Sequence, residues 1–117
     1  MLFRSKAHEG LADEIAAHGV VLSEYPPGTA PLPFHFPQRN RLISGLSRAV
    51  VLVEAAEKSG SLITAACALE QGRDVMVVPG NPLTGRNRGG HALLRDGAKI
   101  VEGADDIVSE QIGRAHV

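Results

Sequence analysis

The 117-residue chain has no tryptophan, a single cysteine and only 3% aromatic residues. A lone cysteine excludes an internal disulfide and a multi-cysteine metal site. Cys67 lies among alanines, and we expect its thiol to pack as a small apolar group. Hydrophobic residues make up 44% of the chain, enough for a core, and because aromatic residues are so few that core must be aliphatic. No apolar run approaches the ~20 residues of a membrane-spanning helix, and no secretory signal is present, so we expect a cytoplasmic protein.

Acidic residues are missing from two stretches of the sequence. Residues 25–53 and residues 75–95 each carry three arginines and one histidine without any acid, whereas residues 96–110 carry five acids and one lysine. The formal net charge of −1 therefore conceals a segregation of charge along the chain. Such segregation predicts a basic face that attracts an anionic partner, although each stretch taken alone also fits an ordinary solvated surface.

The signatures of common enzyme classes are absent as well. The sequence contains no Walker loop, no GxGxxG, no GxSxG and no HExxH. Glu54 and Glu57 are close enough in sequence to form a carboxylate pair, but no other catalytic pattern accompanies them. We therefore predict a protein that is not an enzyme and needs no cofactor and no metal.

Short apolar runs alternate with helical patterns, which predicts an α/β fold with a parallel sheet flanked by helices. The pattern predicts strands at residues 20–22, 49–53, 75–78 and, more weakly, 98–101. It predicts helices at residues 8–18, from residue 37 onward, and at residues 61–71, 91–95 and 104–108. Five of the seven prolines fall between residues 26 and 37, in a loop that is either functional or a simple crossover.

The stretch from residue 36 to residue 64 combines a basic helix start, a buried strand and a Ser/Gly-rich turn. Pro37 suits the first turn of a helix, and the run at residues 50–53 suits a strand covered on both faces. The turn at residues 58–61 then leads into a helix. A strand-turn-helix junction directs backbone N–H groups at a ligand, so we expect an anion there, with phosphate as the first candidate.

Several motifs follow one another in this region and beyond it. They read Phe-Pro-Gln-Arg-Asn-Arg-Leu-Ile-Ser-Gly-Leu-Ser at 36–47, Ser-Gly-Ser-Leu-Ile-Thr-Ala at 59–65, Glu-Gln-Gly-Arg at 70–73, Val-Pro-Gly at 78–80 and Leu-Arg-Asp-Gly-Ala at 94–98. In this order they closely resemble the DNA-processing protein A family (DprA, also called Smf), over residues 8–110. The resemblance implies a Rossmann-like sheet, binding of single-stranded DNA, delivery of that DNA to RecA recombinase in natural transformation, and a homodimer of the full-length protein.

The same resemblance, together with residue chemistry, nominates nine DNA-binding residues: Phe36, Arg39, Asn40, Arg41, Ser44, Lys58, Ser59, Gly60 and Ser61. The cationic side chains would neutralise phosphates, and the amide and hydroxyl groups would donate to phosphate oxygens. The aromatic ring would stack on a base. Structural alternatives stay open for Arg39 as an ion-pair partner at the core edge, for Phe36 as a staple of the helix start, and for Ser59 as a helix cap.

Two other functions compete with DNA binding. Nucleotide-cleaving phosphoribohydrolases, once called lysine decarboxylases, resemble this chain in fold but require a Pro-Gly-Gly-x-Gly-Thr loop followed by a glutamate. Here Pro79-Gly80 is followed by Asn81, and no acid appears before Asp96, which argues against that enzyme. The other alternative is a Rossmann-like scaffold that serves only protein contacts.

We expect residues 7–111 to be a partial Rossmann-like DNA-processing domain, the C-terminal part of a larger one. Residues 1–6 and 112–117 resemble translated sequencing adapters and are expected to be non-native. The first half of the family's sheet and its C-terminal winged-helix-like domain have no counterpart in this sequence. We therefore expect at least one strand to lack a neighbour, which favours aggregation. Because part of the family's DNA pocket would come from the missing half, we also expect this segment alone to bind DNA weakly.

Overall fold

The computed structural model describes residues 8–30, 32 and 35–115, and of residues 35–37 and 112–115 it describes the backbone alone. Its elements are α1 (Glu9–His18), α2 (His35–Gly45), β1 (Ala49–Leu52), α3 (Gly60–Glu70), β2 (Asp74–Val77), α4 (Arg88–Arg95), β3 (Lys99–Ile100) and α5 (Ala104–Ala115). The chain forms two compact units, Met1–Arg39 and Asn40–Val117. Residues 1–6 lie outside the described part, and the prediction that both ends are non-native stays a prediction.

The first unit contains α1 and the proline-rich loop. No side chain of α1 is buried, and Leu11 and Ile15 are both about half exposed. The prediction of a strand at residues 20–22 is wrong. These residues form no strand, and Val20 and Leu22 are each about two-thirds exposed. An apolar run becomes a strand only where its backbone groups find a ladder partner, since strand preference depends on packing context. These three residues are paired in no sheet of the described chain.

The second unit contains a parallel sheet with strand order β1-β2-β3, which confirms the predicted fold class. Ala49 pairs with Asp74 and Leu52 with Val77 along the first ladder, while Val77 pairs with Ile100 along the second. The strands predicted at residues 49–53 and 75–78 are confirmed, each ending one residue earlier than expected. Continuous apolar runs are typical of parallel strands that helices cover.

The core lies where α3 packs on the sheet. Ala65 and Ala68 of α3 are fully buried, and the buried Leu52, Val75 and Val77 form the facing cluster. Alanines let a helix approach a sheet closely, and the core is aliphatic as the composition requires. Cys67 is half-buried on the same helix.

Two helices are longer than the sequence predicts. Helix α4 begins at Arg88 rather than near residue 91, because Gly89 and Gly90, which look like helix breakers, form its tightly packed first turn. Helix α5 continues to Ala115 instead of ending near residue 108. Asp106 stabilises its start, since one of its carboxylate oxygens accepts the N–H of Glu102 at 2.8 Å.

Candidate nucleic-acid interface

The loops that follow β1 and β2 meet at one side of the sheet. Because the two strands are parallel and in register, their carboxyl ends lie side by side. We call residues 53–61 after β1 and residues 78–90 after β2 the carboxyl edge. In open parallel sheets this is the side at which ligands bind.

Asn87 joins the two loops of the carboxyl edge. Its side chain is 2% exposed; Oδ1 accepts the backbone N–H of Ala55 at 2.9 Å, and Nδ2 donates to the carbonyl of Val78 at 3.0 Å. One amide therefore satisfies a donor from the loop after β1 and an acceptor from the loop after β2. Buried polar groups are costly unless they are paired, so this bridge fixes how the two loops lie against each other.

Three glycines make room for the bridge. A Cβ at Gly80 would lie 3.3 Å from Nδ2 of Asn87, and one at Gly90 would lie 2.3 Å from its Oδ1. A Cβ at Gly89 would lie 2.6 Å from the carbonyl oxygen of Ala56. The first turn of α4 can therefore lie against the backbone of the loop after β1 because Gly89 lacks a side chain, while Gly80 and Gly90 leave space for the amide of Asn87.

The two helix starts at the carboxyl edge differ in what they offer to a ligand. At α4, the N–H groups of Gly89 and Gly90 donate to the carbonyl of Ala55, at 2.9 and 3.2 Å, so they are already used within the protein. At α3, Gly60 and Ser61 are exposed, and Ser59 is half-buried with its Oγ accepting the N–H of Ser61 at 3.1 Å. The capping role considered for Ser59 is thus present, and the start of α3 faces solvent.

The cationic residues of the carboxyl edge are Lys58, Arg86 and Arg88, and all three are exposed. Arg88 lies over the backbone of Gly85, where a Cβ would be 3.2 Å from its Nε, and Gly85 has a φ of 72° that favours glycine. His91, half-buried on α4, accepts the N–H of Gly80 at 3.2 Å through Nε2.

Helix α2 carries the remaining predicted site residues. Arg39 and Arg41 are exposed and Asn40 is half-buried. Ser44 is fully buried, and its Oγ donates to Oε1 of Gln71 at 2.6 Å, which places it in the interior rather than on a surface that DNA can reach. The side chain of Phe36 lies outside the described residues, and its stacking role stays a prediction.

Helix α2 is fastened to the residues that follow α3. Gln71 donates from Nε2 to the carbonyl of Arg41 at 2.8 Å, and the guanidinium of Arg73 donates to the carbonyl of Gly45 at 2.7 Å. The carbonyl of Gly45 is among the last four of the helix, which lack intrahelical partners, and Arg73 satisfies it. Gln71 and Arg73 therefore fix the C-terminal half of α2, including Arg41.

The described residues contain no helix that is both long and apolar enough to span a membrane. Among those same residues, no group of three or more histidine, cysteine, aspartate or glutamate side chains is arranged to hold a metal ion.

Comparison with known proteins decides the family. The family model for DNA recombination-mediator protein A matches residues 3–111, nearly the whole chain. The chain belongs to the DNA recombination-mediator protein A family.

Relatives within this family are similar over most of the chain. It is 50% identical to DNA processing protein DprA of Streptococcus pneumoniae over 109 residues, which cover 93% of this chain and 39% of that protein. It is 53% identical to DprA of Bacillus subtilis over 100 residues, which cover 86% of this chain and 34% of that protein. The chain therefore spans little more than a third of the length of these curated relatives.

Solved structures of recombination-mediator proteins have the same fold. The crystal structure of the S. pneumoniae protein matches with a TM-score of 0.87 over 93% of this chain and 38% of that one. DNA processing protein A from Helicobacter pylori, whose structure was described for its single-stranded DNA binding mode, matches with a TM-score of 0.82. It is 28% identical, over 97% of this chain and 52% of that chain.

One part of the carboxyl edge was not predicted from the sequence. Residues 81–88 lie between the predicted strand at 75–78 and the predicted helix at 91–95, and neither Asn87 nor the arginines beside it were nominated as site residues. The available signal was the absence of acids from residues 75–95, which marks the segment as basic but does not indicate where it lies in the fold. The partners of Asn87 are backbone groups 32 and 9 residues away, and no sequence pattern reveals such contacts.

Proposed function

We propose that this chain is a segment of a recombination-mediator protein that holds single-stranded DNA by its phosphates. The proposal rests on one observation: the exposed Lys58 lies next to the exposed start of α3 at the carboxyl edge. The chain's family supports it, because that family includes the H. pylori protein described as binding single-stranded DNA.

The proposed contacts follow from the chemistry of the phosphodiester backbone. Lys58 supplies a cation, and at the positive end of α3 Ser59 and Ser61 supply hydroxyl donors and Gly60 supplies a backbone N–H. Arg39 and Arg41, with Asn40 between them, add contacts from α2. Each cation that neutralises a phosphate releases bound counterions, so affinity falls as salt rises.

Such contacts do not read base identity, because phosphates carry no sequence information. We therefore propose binding without base specificity, strengthened by stacking of a base on Phe36. For the whole protein we extend the proposal to RecA recombinase and a second copy of the protein as partners, to a cytoplasmic location, and to a role without catalysis in natural transformation.

Replacing Lys58 by alanine, or Arg39 and Arg41 together, should weaken binding of a fluorescent oligothymidylate and flatten its salt dependence. Each lost phosphate contact should reduce the slope of log K against log salt by ~0.7. Fluorescence anisotropy at several salt concentrations measures both quantities. An unchanged slope in both variants would assign these cations to structure and contradict the proposal.

Two replacements of Ser59 separate DNA binding from folding. Aspartate caps helices as well as serine does, so Ser59→Asp should keep the stability of the chain while placing a negative charge where a phosphate is proposed. Ser59→Ala should cost about 1 kcal/mol through loss of the cap. Full DNA affinity in the aspartate variant would remove the start of α3 from the site.

A further inference from the structure

The loop after β1 is too acidic to attract DNA by itself. It carries two exposed glutamates, Glu54 and Glu57, and one exposed lysine, Lys58, so its formal charge is −1. A polyanion approaching Lys58 and the start of α3 would meet repulsion from the two carboxylates. A phosphate site here requires positive charge from another part of the chain.

The loop after β2 supplies positive charge next to the loop after β1. The first turn of α4 contacts the loop after β1 directly: the N–H of Gly89 donates to the carbonyl of Ala55 at 2.9 Å. A Cβ on Gly89 would also lie 2.9 Å from Cδ1 of Leu62 in α3. Arg88 precedes this contact point, and Lys58 lies in the turn between Ala56 and Ser59, whose N–H donates to the carbonyl of Ala56 at 3.1 Å.

Arg86 and Arg88 change the sign of the local charge. Both are exposed, and no acid occurs between residues 75 and 95. Added to the loop after β1, these two arginines turn a formal charge of −1 into +1. The N–H groups at the start of α4 add little positive charge for a ligand, because those of Gly89 and Gly90 donate to the carbonyl of Ala55. The arginine side chains therefore supply the positive charge.

The two arginines are also held in place before any ligand arrives. Asn87, between them, is buried and bonded to both loops. Gly85, with φ 72°, leaves room for the guanidinium of Arg88 against the backbone. A cation whose backbone is already fixed loses less conformational entropy on binding.

We propose that Arg86 and Arg88 bind phosphates of the single strand beside Lys58, which makes the loop after β2 the second half of the DNA site. The inference rests on the proposed function and extends its site to residues that neither the motif pattern nor helix geometry nominated. The ligand is the phosphodiester backbone, so the two arginines add affinity without base preference.

The test compares Arg86→Ala and Arg88→Ala with Arg95→Ala in the full chain. Arg95 is an exposed arginine in the last turn of the same helix, away from the carboxyl edge, and its removal changes the net charge equally. Arg86→Ala and Arg88→Ala should each weaken oligothymidylate binding about two- to fivefold. Each should flatten the salt slope by ~0.7, whereas Arg95→Ala should bind as the unaltered chain does. The variants Arg86→Lys and Arg88→Lys, which keep the charge, should keep the slope.

The outcomes distinguish this inference from the function on which it rests. Weaker binding in Lys58→Ala with unchanged binding in Arg86→Ala and Arg88→Ala would overturn the inference and leave the proposed function standing. An equal loss in Arg95→Ala would also overturn it, since the effect would then come from net charge alone. Absence of salt-sensitive binding by the unaltered chain would overturn both. Circular dichroism of each variant verifies that the fold is kept.

Discussion

Replacing Asn87 by alanine should lower the free energy of unfolding by about 2–6 kcal/mol, a large part of the ~5–15 kcal/mol that stabilises a typical domain. The change removes the acceptor for the N–H of Ala55 and the donor for the carbonyl of Val78. Ala55 is 2% exposed, so its N–H would be left without water as well as without a partner. Each such orphaned group costs about 1–3 kcal/mol.

Urea unfolding followed by circular dichroism measures this loss, and Asn81→Ala is the matched control. Asn81 is exposed and its Oδ1 accepts the N–H of Leu83, two residues along the same loop. Its replacement should cost less than about 1 kcal/mol, because water can take over the bond. Equal losses in the two variants would show that Asn87 does not join the two loops.

Replacing Gly89 by alanine should destabilise the chain by about 1–3 kcal/mol, even though alanine is normally the better helix former. The added methyl would lie 2.6 Å from the carbonyl oxygen of Ala56 and 2.9 Å from Cδ1 of Leu62. The backbone of Ala56 cannot rotate away from the methyl group as a flexible side chain could, so α4 would have to move away from the loop after β1. That movement would also weaken the bond from the N–H of Gly89 to Ala55.

Gly60→Ala is the stability control for this change. Gly60 is the first residue of α3 and Gly89 the second residue of α4, but a Cβ at Gly60 meets no atom within 4 Å. Its replacement should be neutral or stabilise by up to ~1 kcal/mol, since it restricts the unfolded chain without a clash. Thermal and urea unfolding of both variants measure the difference. A Gly89→Ala variant as stable as Gly60→Ala would contradict the close packing of α4.

The sheet was predictable because its signal is local. The runs at residues 49–53 and 75–78 are continuous, apolar and bounded by turn residues, and both form parallel strands. The run at residues 20–22 looks the same in the sequence and forms no strand. What separates them is a ladder partner, which a sequence pattern does not display.

The positions of the candidate site residues were predictable only where one segment carries them. Lys58, Ser59, Gly60 and Ser61 follow one another, and the strand-turn-helix pattern placed them correctly at the end of β1. Ser44 lies on the polar side of α2 by periodicity, yet its hydroxyl is buried against Gln71, 27 residues further along the chain. Long-range contacts of single side chains decide such cases, and the periodicity of one helix says nothing about them.

The central claim is that single-stranded DNA binds at the carboxyl edge, and an NMR titration tests it most directly. Amide spectra of the ¹⁵N-labelled chain are recorded as an oligothymidylate is added at low salt. We predict that the shifted amides include Ser59, Gly60, Ser61, Arg86 and Arg88, while those of Arg73 and Lys99 at the opposite ends of the strands stay in place. Shifts at Arg73 and Lys99 with none at the carboxyl edge would contradict it.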